Sequence, residues 1–257
     1  MSTNLVIGYA DIPQAAEFSA VNHAVNQLYP YANLFGGNKV DRFYLDAEGA
    51  TNLEISFALP VGESQAANFF YIAKANLLQQ SGVTQIALKG NSTDNLATAV
   101  AVATYSSFNS EPLYGTSDED FIDLMLESTP YRYWWVVYSS PTDSLFPHSK
   151  LLFGKVFDPG LDPNAAATIT RLRIGGMSRE SVFTFQFTWN GMTYDKAVDM
   201  YNTFYMTKRF VPLVLITRSW HDILMGHRAI FCRLTDMSLP PRITDYCNVT
   251  ATFEELP

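Results

Sequence analysis

A chain of 257 residues, 47% of them hydrophobic, can hold one large all-β domain or two ordinary ones around a substantial core. Its net charge of −8 is split unevenly, −9 over residues 1–150 and +1 over residues 151–257, which favours two units. That balance argues against nucleic acid as the main ligand, since phosphates need a basic footprint. The charged fraction is low at 16% and the aromatic fraction high at 14%, which fits either a surface partly covered by a partner or an aromatic-rich β core.

The opening "MSTNLVIGYADIPQ" has a short apolar core broken by Gly8 and no basic region, so it does not read as a signal peptide. No apolar run approaches membrane-spanning length. The expectation is a chain made in the cytoplasm and independent of membranes. Residues 1–39 read as an N-terminal arm, with "YPYANLFGG" as an extended segment.

About six strands are expected over residues 40–157. "NLEISFALP" sets Leu53, Ile55, Phe57 and Leu59 on one face, the period of a half-buried strand. "VTQIALKGNSTDN" alternates again and closes on a turn, and "FFYIAKANLLQQSG" reads as a strand plus a turn. One helix is expected at "SDEDFIDLML". Ser117 would cap it, Asp118, Glu119 and Asp120 would occupy its first turn, and Phe121, Leu124 and Met125 would form its buried face. Capping explains those carboxylates without a metal ion. "FDPGLDPNAAAT" is the best boundary, with 158–257 as the second domain.

Beyond the boundary the expected order is β-β-α-β-β-β. "TITRLRIGG" and "ESVFTFQFTWNG" are the first two strands, joined by a hairpin-like "GGMSR". In the second of them Phe183, Phe185, Phe187 and Trp189 share one face. "TYDKAVDMYNTFYMTKR" reads as a helix capped by Thr193, with Ala197, Val198, Tyr201, Phe204 and Tyr205 on one face and Lys208 and Arg209 in its last turn. Three strands follow.

Chemistry-bearing motifs are scarce. GxSxG, GxxxxGK[ST] and HExxH are absent, and His221-Asp222 read as a polar loop. Cys232 and Cys247 read as buried free thiols rather than a zinc site, with a single disulfide as the alternative. No catalytic residue, cofactor or metal site is expected. A sandwich glycosidase with two distant carboxylates, about 5–10 Å apart in one cleft, would leave no local signature and stays as an alternative. Residues 151–257 hold eight Arg against three Lys, and Arg is favoured at interfaces for its planar, stacking fork.

The stretch from "TFQFTWNGMTYDKAVDMYNTFYMTKRFVPLVLITRS" through "HRAIFCRLTDMSLPPRITDYCNVTATFEEL" resembles the distal tail and tail-tip (baseplate) proteins of long-tailed bacteriophages. The resemblance covers residues 168–257 by pattern rather than by an invariant motif. It implies a mainly β chain: an N-terminal jelly-roll-like β-sandwich of discoidin or galectin type over 40–157, and a C-terminal tail-tube-like sandwich or barrel with one packed helix. It implies a virion structural protein at the tail tip, six copies in a ring (three as the alternative), joining tail tube protein to hub proteins, with DNA only as passing cargo. Candidate contacts between copies are Arg171, Arg173, Arg179, Phe183, Phe185, Phe187 and Trp189. The acidic segment between Glu111 and Ser128 departs from a sugar module and sets against glycan binding there.

"TPYRYWWVVYSS" is the other singled-out stretch. As a strand it places Tyr131, Tyr133, Trp135 and Val137 on one face and Arg132, Trp134, Val136 and Tyr138 on the other. Both faces are apolar, so both are expected to be covered, one by the opposite sheet and one by a neighbouring domain or subunit. Arg132, Trp134, Trp135 and Tyr138 are the candidate aromatic contact surface. The alternative function is a carbohydrate-binding module or adhesin, with these rings as a platform for a surface glycan.

Overall fold

In a computed structural model that describes residues 5–9, 12–13, 16–20, 31–34, 43–46, 51–73, 78, 81–106, 120–142, 145–148, 150–174, 178–206, 211–217 and 229–256, burial alternates along the strand segments 52–58, 184–190 and 249–253. Side chains of residues 18–20, 31–32, 43, 45–46, 145–148 and 165–182 are outside the description. The first strands are β1 (Leu5–Tyr9), β2 (Glu17–Ala20), β3 (Phe43–Asp46), β4 (Asn52–Ala58), β5 (Phe69–Ile72) and β6 (Gln85–Asn91). Then come β7 (Val100–Tyr105), β8 (Phe121–Leu124), β9 (Tyr133–Ser139), β10 (Leu145–His148) and β11 (Leu151–Phe157). The last group is β12 (Asn164–Ile174), β13 (Ser178–Thr193), helix α1 (Tyr194–Met200), β14 (Pro212–Thr217), β15 (Ala229–Ser238) and β16 (Tyr246–Glu255). The chain is mainly β. It divides into two compact units, residues 10–155 and residues 1–9 with 156–257.

The N-terminal unit is a β-sandwich. One sheet runs β2-β4-β9-β6-β7, and β8-β5-β11 forms the opposing one. Leu53, Ile55, Phe57, Ile86, Leu88, Trp134, Val136 and Tyr138 from the first meet Phe70, Ile72, Leu151 and Phe153 from the second in one core. Period-two side-chain direction is what lets each strand give one face to that core. Two further strands, β3 and β10, pair with each other.

Three expectations for this unit are corrected. Among the described residues nine strands, not six, lie between residues 40 and 157. Those missed are β7, none of whose side chains is fully buried, β8, and β10, whose Pro147 argues against a strand. The expected helix around Phe121 is strand β8, paired residue for residue with Phe69–Ile72. Its carboxylates serve tyrosines: Tyr71 Oη donates to buried Asp120 (2.6 Å) and Tyr105 Oη to Asp123 (2.9 Å). Sheet pairing and these bonds outweigh an i, i+3, i+4 spacing that local sequence alone suggested; Ser117, Asp118 and Glu119 lie outside the described residues. Residues 1–9 group with the other unit and residues 10–39 with this one, so the segment expected as one arm is divided between the two. Within "YPYANLFGG", Tyr31–Leu34 is a 3₁₀ turn that buries Leu34, and the rest lies outside the description.

Two phenols in this unit resist ionisation. Burial alone pushes Tyr138 well above its ordinary range. Tyr105 is raised by burial first and then by the charge and hydrogen bond of Asp123. Raised folded-state values mean that the stability they contribute is complete below the unfolded tyrosine pKa of about 10 and is lost as pH rises beyond it. The expected result is a melting temperature that falls steeply above about pH 10, with the tyrosinate absorbance of these two phenols appearing only on unfolding. Tyrosinate absorbance from every tyrosine while the near-ultraviolet circular dichroism stays native would contradict it.

In the C-terminal unit, β12-β13-β16-β15-β14-β1 form an antiparallel sheet. The β-β-α-β-β-β order holds, and β1 adds a sixth strand beside β14, with Leu5, Val6 and Ile7 fully buried. Leu5, Ile7, Phe185, Phe187, Trp189, Leu213, Leu215, Ile230, Cys232, Val249, Ala251 and Phe253 pack with Ala197, Met200 and Phe204 of the helical segment. Trp189 and Met192 both face inward, although three residues apart, because the register shifts between them. Gly191 sits in that shift with φ +77, which suits glycine.

The helix differs in detail from expectation. Thr193 has the extended backbone of a cap but its side chain makes no capping bond. After Met200 the chain widens into a π turn, Tyr201–Met206. Met200 is buried where Val198, Tyr201 and Tyr205 were expected, and the two tyrosines stack on each other at 4.8 Å, half-exposed. Lys208 and Arg209 lie outside the described residues. The two cysteines form no disulfide, Cys232 being buried and Cys247 half-buried.

Candidate functional site

Strand β9 organises one end of the sandwich. Its first residue, Tyr133, pairs with Ala58 at the end of β4 and with Asn91 at the end of β6. Three connections therefore meet there: 59–68, 92–99 and 125–132. Backbone bonds tie them together. Leu59 N donates to Arg132 O (3.0 Å), and Gln65 and Tyr131 exchange bonds in both directions (3.0 and 2.9 Å). The 91–99 connection is held by its own side chains: Asn91 Nδ2 donates to Asn95 O and Thr98 Oγ1, and Asn95 Oδ1 accepts from Ala97 N. Such a loop is fixed before any ligand arrives.

The exposed chemistry at this end is polar and aromatic. The Arg132 guanidinium lies 4.8 Å from the Tyr133 ring centroid, and Tyr133 in turn stacks on Trp135 at 6.3 Å. Arg132 Nε donates to Leu59 O (3.1 Å), and among the described residues its two Nη groups make no hydrogen bond. Glu63, Ser64, Ser92, Thr93, Asp94 and Asn95 are exposed around it. Gln65 Oε1 is buried there with no partner among the described residues. A rigid guanidinium on a ring, with donors left over, suits planar hydroxyl-bearing or carboxylate ligands.

Gly90 supports this end from below. A Cβ on it would lie 2.1 Å from Tyr131 Cδ2. Tyr131 is wedged there edge-on to Trp134 (5.6 Å), whose Nε1 donates to Tyr131 O (3.1 Å). Gly90→Ala is therefore expected to cost about 1–3 kcal/mol and to shift Tyr131, read as a lower denaturation midpoint with altered near-ultraviolet circular dichroism. An unchanged midpoint would refute the wedge.

The sequence-derived sites are redistributed. Of the candidate aromatic surface only Arg132 stays half-exposed; Trp134 and Tyr138 are at 0% exposure and Trp135 at 2%. The second face of β9 is covered by the chain itself, with Trp135 and Val137 under Leu96, Ala99 and Tyr133, not by another domain or subunit. β4 and β6 pair with its two edges, and its two faces pack in two clusters of this one unit. Phe185, Phe187 and Trp189 are at 0% exposure in their own unit's core, which removes them as contacts between copies; Phe183 is half-buried at its margin. Arg171, Arg173 and Arg179 are brought together near one hairpin end, where Arg173 pairs with Arg179 and Arg171 with Ser181. Arg233 binds Glu254 through Nε and Nη2 (3.0 and 2.7 Å), a cross-strand pair within the chain. Arg209, Arg218, Arg228 and His221-Asp222 lie outside the described residues.

Among the described residues no three His, Cys, Asp or Glu side chains gather as metal ligands, and no helix is long and apolar enough to cross a membrane. Sequence reasoning missed Tyr133, Gln65 and the 91–95 loop as parts of one site. The signal available was the polar run "KGNSTDN" after a clear strand, but its neighbours are set by register across β4, β9 and β6.

No family model and no curated protein matches the sequence. Solved structures are similar in part. A Ruminococcus gnavus GH29 fucosidase in complex with fucose aligns at 15% identity and a TM-score of 0.42, over 56% of this chain and 26% of that one. A family 62 carbohydrate-binding module from Clostridium thermocellum aligns at 15% identity and 0.40, over 55% and 92%. A family 32 module from C. perfringens in complex with galactose aligns at 12% and 0.40, over 58% and 99%. This chain thus spans about a quarter of the fucosidase and nearly all of each module. At such identities and scores, these likenesses assign no function to it.

Proposed function

We propose that the chain is a non-catalytic recognition protein whose N-terminal sandwich binds a glycan at the Arg132–Tyr133 end. The observation that carries this reading is the half-exposed Arg132 guanidinium, laid on Tyr133 with free Nη donors where three polar connections meet. Sugar rings offer an apolar C–H face for an aromatic or guanidinium plane and hydroxyls for paired N–H donors. Galactosides, the sugar in the complex of the family 32 module, are the first probes.

The test is a glycan array with the full chain and with Arg132→Ala and Tyr133→Ala. Binding by the native chain that drops about tenfold or more in both variants, with the native near-ultraviolet circular dichroism retained, is the expected result. Binding to no glycan, or binding indifferent to both substitutions, would end this reading.

A second reading, a virion tail-tip subunit that assembles in a ring, is supported by a different observation. β12 ends the sheet order, and Ser178–Val182 of β13 pair with β12 but not with β16, so among the described residues the far part of this hairpin has no strand on either side. Unpaired strand edges are the usual points for adding a further strand. A discrete hexamer or trimer by light scattering would favour it. A monomer whose mass is constant across concentration, and a strict loss of glycan binding in Arg132→Ala, would leave the first reading alone.

A further inference from the structure

We infer that the C-terminal unit carries a separate, shallow site for one neutral sugar ring, formed by Thr193, Tyr194, Asp195, Arg242, Asp245 and Tyr246. A pocket of about 180 Å³ lies among these residues. It is built from two places in the chain, the β13–α1 junction and the β15–β16 connection. Thr193 pairs with Tyr246, and Tyr194 N donates to Asp245 O (2.9 Å), which locks the two together. Arg242 is fixed twice over, by Asp245 Oδ1 (3.1 Å) and by the Tyr194 ring (5.4 Å from its centroid). Tyr246 remains 63% exposed on the rim.

Charge and occupancy narrow the ligand. Two carboxylates against one guanidinium disfavour an anion. Arg242 already covers the Tyr194 ring, which disfavours a cation seeking that ring. What remains is a neutral, hydroxyl-rich ring. Its apolar face suits Tyr246, its hydroxyls donate to Asp195 and Asp245, and an oxygen accepts from Arg242. The volume is below the roughly 300–1,000 Å³ of sites for drug-sized ligands, so the fit is to a single ring. The site lies in the other unit from Arg132 and stands independently of the sandwich reading.

Saturation-transfer NMR on the full chain with methyl glycosides of glucose, galactose, mannose and N-acetylgalactosamine tests it. The expected result is transfer to at least one glycoside that falls about tenfold in Tyr246→Ala and in Asp195→Asn, and persists in Tyr133→Ala. Circular dichroism of each variant controls for folding, and Tyr246→Phe, which keeps the ring, should retain transfer. No transfer to any glycoside would overturn the inference. So would transfer lost in Tyr133→Ala but unchanged in Tyr246→Ala, which would assign the sugar to the sandwich alone.

Discussion

Replacing Trp134 by alanine is expected to cost about 3–5 kcal/mol, a large share of a typical domain's stability of about 5–15 kcal/mol. The indole is at 0% exposure. It packs on Phe153 and Tyr131, each with ring centroids 5.6 Å away, and its Nε1 donates to Tyr131 O. Removing it opens a cavity in the middle of the sandwich and takes away one of the two hydrogen bonds to the Tyr131 carbonyl, which keeps its bond from Gln65 N. Urea denaturation should show a markedly lower midpoint, and glycan binding should vanish together with the native fold. Tyr133→Ala separates the two effects, because its loss should fall on binding with the fold kept. A Trp134→Ala protein of native stability that no longer bound glycan would place this ring on a ligand surface and contradict its burial.

Phe187→Ala should have a comparable cost, about 3–5 kcal/mol, in the C-terminal unit. Phe185, Phe187 and Trp189 form a stacked row along β13, with centroids 6.1 and 5.9 Å apart, and Phe187 also meets Phe253 across to β16 at 5.8 Å. Cavity and lost ring contacts both act on folding. The expected outcome is a lower denaturation midpoint with no change in mass by light scattering under conditions where the variant is folded. Native stability with a lost oligomer would return this row to a subunit interface.

These two residues also show what the sequence makes legible. Period-two spacing correctly assigns Phe185, Phe187 and Trp189 to one face and Trp134 and Tyr138 to another. It does not say what covers a face. For β9 the cover is a turn, Leu96–Ala99, forty residues away in sequence order, and only sheet register brings it over Trp135. The expected helix near Phe121 failed for a related reason. Its spacing and acidic start are real, but strand pairing with β5 and the tyrosine partners of Asp120 and Asp123 come from distant segments. β1 was invisible as a strand of the C-terminal unit because its partner, β14, lies some two hundred residues on. Arg132 was picked out among aromatics with Tyr133 beside it in sequence; Leu59, which accepts from its Nε, and the polar connections 59–68 and 92–99 reach that end only when three strands align.

The most direct measurement is an amide-shift map of the isotopically labelled full chain on adding a galactoside or the best array glycan. Glycan recognition by the sandwich end predicts shifts concentrated at residues 91–95 and 131–133, with smaller ones at 59–65. Binding accompanied by shifts elsewhere only, with these three segments unmoved, would contradict it.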